Sequence, residues 1–463
     1  MKKISPSILV LSVALLAACA ACTTNGPTNT APPSNASAPT ASTSPSATPS
    51  ASPAAPASIE ASLPVTLPVL DAMFADEAFA GELKSKVQLT DEQIERLRVV
   101  AREGTASLDE KVAESGKTSE ATRAAAEKIN AVLGPEKAQS FMAFVRERWA
   151  GGEAALASKP NSVPTDTRVV VNAPAYRMDV FEKGQLVKTY KVGIGYPEFP
   201  LPQGLRKAET IIFNPTWTPP DEPWVKGRFK PGERVEAGSK LNPLGPIKIP
   251  IGQPSLIHGG KNPARLGTFA SHGCVGLTSP QVQDFAVVLA QIGGAQLTPQ
   301  DVAEYAKKRD KTQNVKLGAP VPVELRYETI VVEDGRLHIF RDVYDKGTNT
   351  EENLRKVLEV YGVKLEDLSE QELAQVRDAL SAMARDARGN PINATPTPTP
   401  DAKSKKPKGD GRVTYTVKGE KEVVIEIAAL NGKGYPAPVN LSPPAPQKKQ
   451  ETAAPTKKKK ANG

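Results

Sequence analysis

The chain carries only three histidines and three cysteines. Two of those histidines and one cysteine fall in IHGGKNPARLGTFASHGCVGL, residues 257–277. Cysteine attacks as a thiolate, and a neighbouring imidazole eases its deprotonation. A base, a nucleophile and donors for an oxyanion are the minimum parts for acyl transfer. His258 closes the apolar run SLI, where a strand would end. Cys274 follows sixteen positions later, inside Ser271-His272-Gly273-Cys274. Gly273 lets the backbone turn sharply, which makes the amides of Gly273 and Cys274 candidate oxyanion donors. Two blander readings use the same atoms. A His-x-Cys cluster with a second histidine is part of a zinc set, although no CxxC stands beside it and no fourth ligand is evident. A buried inert thiol is the commonest fate of a cysteine. The third histidine, His338, lies between Leu337 and Ile339 and reads as a structural or exposed strand residue.

The elements that must position these groups have period two. TDTRVVVN, AYRMDVFE and QLVKTYKVGIG are strand-like, the last two joined at Lys183-Gly184. Short strands with Pro/Gly punctuation continue through ETIIFNPTW, NPLGPIKIPIG and SLIHGG. One helix is embedded after the cysteine. Ser279 caps it, Pro280 opens it, Val282, Phe285, Ala286 and Leu289 form its buried stripe, and Gly293-Gly294 ends it. Residues 320–347 add a strand and a hairpin turned at Asp334-Gly335. The expected architecture for 164–346 is an all-β catalytic domain, a sandwich or barrel with an embedded helix.

Both flanks read as helical. Within 63–155, Thr90 and Gln93 form a capping box with Leu89 and Ile94 as its hydrophobic staple. A second helix closes at Gly134, a third restarts at Pro135, and Phe141, Val145 and Trp149 share one face of it. LTDEQ, 89–93, resembles the LTxxQ signature of small periplasmic helical proteins of the Spy/CpxP type, though a good capping box gives the same letters. Residues 349–388 are a helical segment with a Leu354/Val357/Leu358/Tyr361 face and a Ser369/Glu372 capping box. After a linker over 389–411, residues 412–428 read as a lone β-hairpin, which must dock elsewhere to be stable. The Pro/Lys-rich tail, 429–463, reads as disordered.

Composition bounds the compartment and the partners. Of 463 residues, 39% are hydrophobic and only 5% aromatic, and the 43 prolines cluster in linkers. The net charge of +8 lies largely in tail-like KSKKPK and KKKK, without the aromatic interleaving of a nucleic-acid surface. No nucleic-acid partner is expected; a solvated tail, or contact with an anionic envelope polymer, is. MKK followed by ILVLSVALLAA reads as a signal peptide over 1–18, too short to span a bilayer. Leu16 to Cys19, LAAC, resembles the lipobox of bacterial lipoproteins, with Cys22 a poorer candidate. That resemblance implies lipid attachment at Cys19 and a protein facing the periplasm, more at the outer than the inner membrane because Ala20 follows the cysteine. Residues 19–62 are a Ser/Thr/Ala/Pro tether whose proline-rich part reaches roughly 35 Å as a coil.

The stretch at 257–277 resembles the YkuD-type L,D-transpeptidases, with an upstream His-Gly and a downstream Ser-His-Gly-Cys. VNAPAYRMDVFEKGQLVKTYKVGIG, FNPTWTPP, NPLGPIKI and ELRYETIVVEDGRLHIFRDVYDKG extend the similarity over roughly 166–346. The resemblance implies Cys274 as nucleophile, His258 as general base, and the Gly259 carbonyl as the orienter of that base. It implies Ser271, His272 and Gly273 as the oxyanion pocket and nucleophile turn, and Trp217, Asn242, Gly260 and Gly276 as substrate contacts. The substrate would be peptidoglycan stem peptides, and no metal or organic cofactor is needed. Two positions depart from the pattern: Gly276 stands where Arg or Asn is usual, and Leu201 where Thr is common. The acceptor stays open among a neighbouring stem amine, water and a protein amine. A non-catalytic wall-binding or envelope-stress scaffold is the rival reading. The sequence around a papain-like cysteine is absent.

Overall fold

The computed structural model describes residues 65–74, 76–106, 118–150, 159–219, 229–230, 232–252, 254–392 and 417–441. All belong to one compact unit, Ala57–Gly463. The signal peptide, Cys19, Cys22, nearly all of the tether and the Lys-rich tail beyond 441 lie outside the described residues.

The first layer is helical: α1 (Leu67–Met73), α2 (Glu77–Lys86), α3 (Asp91–Ala106), α4 (Thr118–Leu133) and α5 (Pro135–Ala150). The reciprocal cap at α3 forms as its letters require. The Gln93 N–H donates to Thr90 Oγ1 at 3.2 Å, and the Thr90 N–H donates to Gln93 Oε1 at 3.1 Å. Gly134, at φ +76°, turns α4 into α5. Phe79, Leu83, Leu97, Ile129, Phe141 and Val145 are fully buried in a core of their own.

The chain then enters strands β1 (Arg168–Asn172), β2 (Arg177–Glu182), β3 (Gln185–Lys191), β4 (Ile194–Gly195), β5 (Gly204–Phe213), β6 (Ile247–Pro250), β7 (Leu256–His258), β8 (Phe269–Ser271) and β9 (Val275–Gly276). Helices α6 (Ser279–Ile292) and α7 (Pro299–Lys307) precede the long β10 (Gln313–Arg326). Eight strands form one sheet in the order β3-β2-β1-β10-β5-β6-β7-β9, with β4 and β8 as a separate pair. The sheet is mixed: β1 runs parallel to β10, and β7 parallel to β9. The expectation of an all-β sandwich or barrel is corrected to a mixed sheet with helices, because parallel neighbours need long crossovers and α6–α7 sit in one of them. The helix α6 buries Val282, Phe285, Ala286 and Leu289 completely in the core beneath the sheet. Its N-cap is Thr278 rather than Ser279, since Gln281 stands three residues after Thr278 and closes a capping box with it. Sequence analysis does not foresee α7, although Thr298 and Asp301 form a capping box at its start.

The hairpin of β11 (Ile330–Glu333) and β12 (Arg336–Phe340) turns through Asp334 and Gly335, both at positive φ. It does not extend the large sheet. After α8 (Glu351–Val360) and α9 (Glu370–Met383), β13 (Glu422–Glu426) pairs with β12 to complete a three-stranded sheet, β11-β12-β13. Leu337, Ile339, Leu354, Leu358, Val376 and Ile425 share one core there. Residues 412–416 lie outside the description, and β13 is a third strand docked on β12 rather than half of a lone hairpin. The disorder expected from 429 onward is corrected for 429–441. Leu430 is fully buried, Tyr435 packs edge-on against Phe181 at 5.7 Å, and the Thr189 N–H on edge strand β3 donates to the Val439 carbonyl at 3.0 Å. Two large apolar side chains and an open sheet edge outweigh the tail-like composition of this segment.

Candidate active site

The short strands β7 and β9 meet at the end of the large sheet. Their parallel register pairs Ile257 with Val275 and His258 with Gly276. Gly276 therefore lies beside His258, and Cys274 stands two residues before Gly276, in the bend that leads into β9. His258 is buried, while Cys274 is half-exposed and is a free thiol.

His258 Nδ1 lies 2.8 Å from the Gly259 carbonyl oxygen. A carbonyl only accepts, so Nδ1 carries the proton of the neutral ring and Nε2 keeps its lone pair. Burial, reinforced by the Lys261 cation, lowers the imidazole pKa to about 3. The Gly259 and Leu244 backbones favour the protonated ring, but they are outweighed. Burial raises the Cys274 thiol against the opposing pull of the Leu256 amide and Lys261. At neutral pH the resting pair is therefore imidazole and thiol.

The turn that presents the sulfur is clipped from three sides. The buried Ser271 Oγ donates to the Cys274 carbonyl at 2.6 Å and accepts from the Cys274 N–H at 3.0 Å. The His272 ring wedges between Tyr196 and Phe199, with centroids 5.1 and 4.8 Å away. Gly273 adopts φ +89°, the region that favours glycine, and its carbonyl accepts from Ser255 Oγ at 2.8 Å. The two-amide oxyanion cradle expected from the sequence is reduced. The Cys274 N–H is engaged by Ser271, whereas the Gly273 N–H makes no hydrogen bond among the described residues.

The glycines explain themselves by contact. A Cβ on Gly259 would meet Val282 Cγ1 of α6 at 2.5 Å, so the base is flanked by a residue without a side chain. Gly260, at φ +80°, lies against the Gly245 backbone, 3.0 Å from where its Cβ would be. Both carry the turn after the base. Gly276 is buried beneath the aliphatic stem of Lys261. Trp217 and Asn242 belong to the loop between β5 and β6, of which 220–228 and 231 lie outside the described residues. The Trp217 ring packs edge-on against Phe229 at 5.0 Å. Asn242 is committed to the loop itself: its amide donates to the Pro215 carbonyl at 2.7 Å, and its Oδ1 accepts from the Leu244 N–H at 3.0 Å. His338 is buried on β12 with Nδ1 2.5 Å from Glu422 Oε1, away from this cluster. Sequence reasoning passes over Ser255, Leu244 and Lys261. The only local signal was a serine and a lysine close to His258 in SLIHGGK. Among the described residues, no group of three or more His, Cys, Asp or Glu side chains is placed to hold a metal ion.

Residues 166–323 match the family model of the YkuD L,D-transpeptidase catalytic domain. The match holds His258, Ser271 and Cys274 and ends inside β10. The match stops short of residues 324–346, which run on from β10 into the three-stranded sheet. No curated protein matches the chain. Among solved structures, an L,D-transpeptidase from Mycobacterium smegmatis is similar at 15% identity and a TM-score of 0.21, over 35% of this chain and 58% of that one. The catalytic domain of the Enterococcus faecium L,D-transpeptidase is similar at 17% identity and a TM-score of 0.22, over 36% of this chain and 100% of that one. L,D-transpeptidase 3 from Mycobacterium tuberculosis is similar at 15% identity and a TM-score of 0.21, over 35% of this chain and 60% of that one. The chain spans 49–58% of the length of the first three structures it resembles.

Proposed function

We propose that the protein is a cysteine acyltransferase of the L,D-transpeptidase type that acts on peptidoglycan stem peptides. The observation that supports this reading is the β7–β9 register, which pairs His258, its Nδ1 directed at the Gly259 carbonyl, with the residue two positions after Cys274. In the first step, His258 Nε2 takes the Sγ proton as Cys274 attacks the carbonyl of the third stem residue. The Gly273 N–H faces the developing oxyanion. The tetrahedral adduct collapses to a thioester, and the proton on His258 passes to the departing amine of the terminal D-alanine. An amine on a neighbouring stem then attacks the thioester while His258 accepts its proton. The new bond is a 3→3 cross-link, and Cys274 leaves as the thiol. Ser271, His272 and Ser255 keep the nucleophile turn in place. The Cys19 lipid and the tether would hold the domain outside the cytoplasm, within reach of the wall.

The test is acylation of Cys274 by a carbapenem, read by mass on the peptide that carries it, with Cys274→Ala as control. Incubation with disaccharide-tetrapeptide muropeptides should then give dimers that the Cys274→Ala protein does not make. An unmodified wild-type protein in both experiments would overturn the enzyme reading and favour the scaffold. Tripeptide in place of dimer would assign water as the acceptor.

A further inference from the structure

Lys261 follows the catalytic histidine by three residues and turns back over the strand that carries the nucleophile. A Cβ on Gly276 would lie 2.8 Å from both Cγ and Cε of Lys261, so the lysine stem fills the room a side chain at 276 would take. The backbone on both sides is fixed. The Lys261 N–H donates to the Leu277 carbonyl at 3.0 Å, and Gly276 exchanges two hydrogen bonds with Gly193, at 2.9 and 2.8 Å. Gly276 lies two residues after Cys274, so the lysine that covers it runs beside the turn that presents the sulfur. Among the described residues no carboxylate pairs with that ammonium. The groups that face it are Cys274, His258, His272 and Arg265. A cation left without a carboxylate beside a thiol has one anion to stabilise, the thiolate.

We propose that Lys261 is a positioning cation for the nucleophile: folded across Gly276, its ammonium favours the thiolate of Cys274. The proposal rests on the reading of Cys274 as nucleophile. Lys261 forms and breaks no bond; it keeps its proton while His258 Nε2 takes the one from Sγ. Burial and Arg265 lower the ammonium pKa, and the Cys274 charge raises it, to about 8 overall. The charge is therefore present at neutral pH and lost in mild alkali.

Alkylation of Cys274 in the full chain tests this without any wall substrate. Iodoacetamide and iodoacetate are compared across pH, with modification read on the Cys274 peptide. Lys261→Met should slow the reaction at neutral pH about tenfold, and the difference from wild type should fade in mild alkali, where the ammonium is lost. It should also remove the preference for the anionic reagent. Lys261→Arg should react like wild type, and Lys261→Gln gives a second neutral variant should the methionine form fail to fold. A folded neutral variant that titrates like wild type with both reagents overturns the proposal. Because alkylation requires no donor peptide, a negative carbapenem result beside a lysine-dependent thiol would sink the transpeptidase reading alone.

Discussion

Two ends of the same sheet bury ionisable groups in opposite ways. At the β1-β2-β10 end every buried charge has a counter-charge. Arg177 bridges Asp179 and Glu333, and its Nη2 donates to the Pro436 carbonyl at 3.0 Å. Arg326 grips Glu324 through two hydrogen bonds of 2.9 and 3.0 Å, and Arg168 adds a third at 2.7 Å. At the β7-β9 end, the thiol and two imidazoles are held neutral by burial, and the nearby lysine has no carboxylate among the described residues. Paired charges lock a geometry. Neutral groups leave proton positions free to change, which is what proton transfer requires.

The contrast can be broken most sharply at the base. His258→Ala should lower turnover by about 10²–10⁴-fold with little change in unfolding midpoint, measured by muropeptide dimer formation and urea denaturation. The mirror experiment is Arg177→Met, which strands Asp179 and Glu333. It should cost about 3–5 kcal/mol of stability in the same denaturation assay while leaving the rate per folded molecule unchanged. A third test uses acid. The folded-state pKa of His258 is about 3, below its ordinary value. Its contribution is therefore fully present above the unfolded pKa and is lost as pH falls toward 3. The loss should be no more than about 2 kcal/mol at a pH of about 5, and it should vanish in His258→Ala. The rate per folded molecule should show no acid limb near pH 6.5, because the imidazole is still unprotonated there. The smallest effect is at Ser255. Ser255→Ala removes one hydrogen bond to Gly273 and should cost about 1 kcal/mol, with a several-fold drop in turnover.

Legibility in the sequence followed the range of the interaction. The capping boxes at Thr90, Ser369 and, one residue off, at Thr278 are local, and so are the hairpin turns at Lys183-Gly184 and Asp334-Gly335. The pairing of β7, which ends at His258, with β9, which follows Cys274, joins two parts of one 21-residue motif. What escaped depends on distant partners. Val169 pairs in parallel with Val323, and nothing near either valine marks that choice. The hairpin at 330–340 looked like a continuation of the large sheet until β13 and the helices α8 and α9 claimed it. Residues 429–441 have tail-like letters, and the burial of Leu430 and Tyr435 together with the open edge of β3 gives them a place. Nothing in the sequence marks Lys261, since its place over Gly276 appears only once the chain doubles back.

The loop 196–199 has a second neighbour. Thr66 Oγ1 donates to the Glu198 carbonyl at 2.6 Å, and Thr118 Oγ1 to the Pro197 carbonyl at 2.7 Å. The same loop supplies Tyr196 and Phe199 to the His272 ring. The leading bundle thus buttresses the loop that holds the His272 ring. Trimming the gene to its strand-rich portion, a natural first move for anyone seeking a smaller crystal or inhibitor target, would strip out that buttress along with the helices.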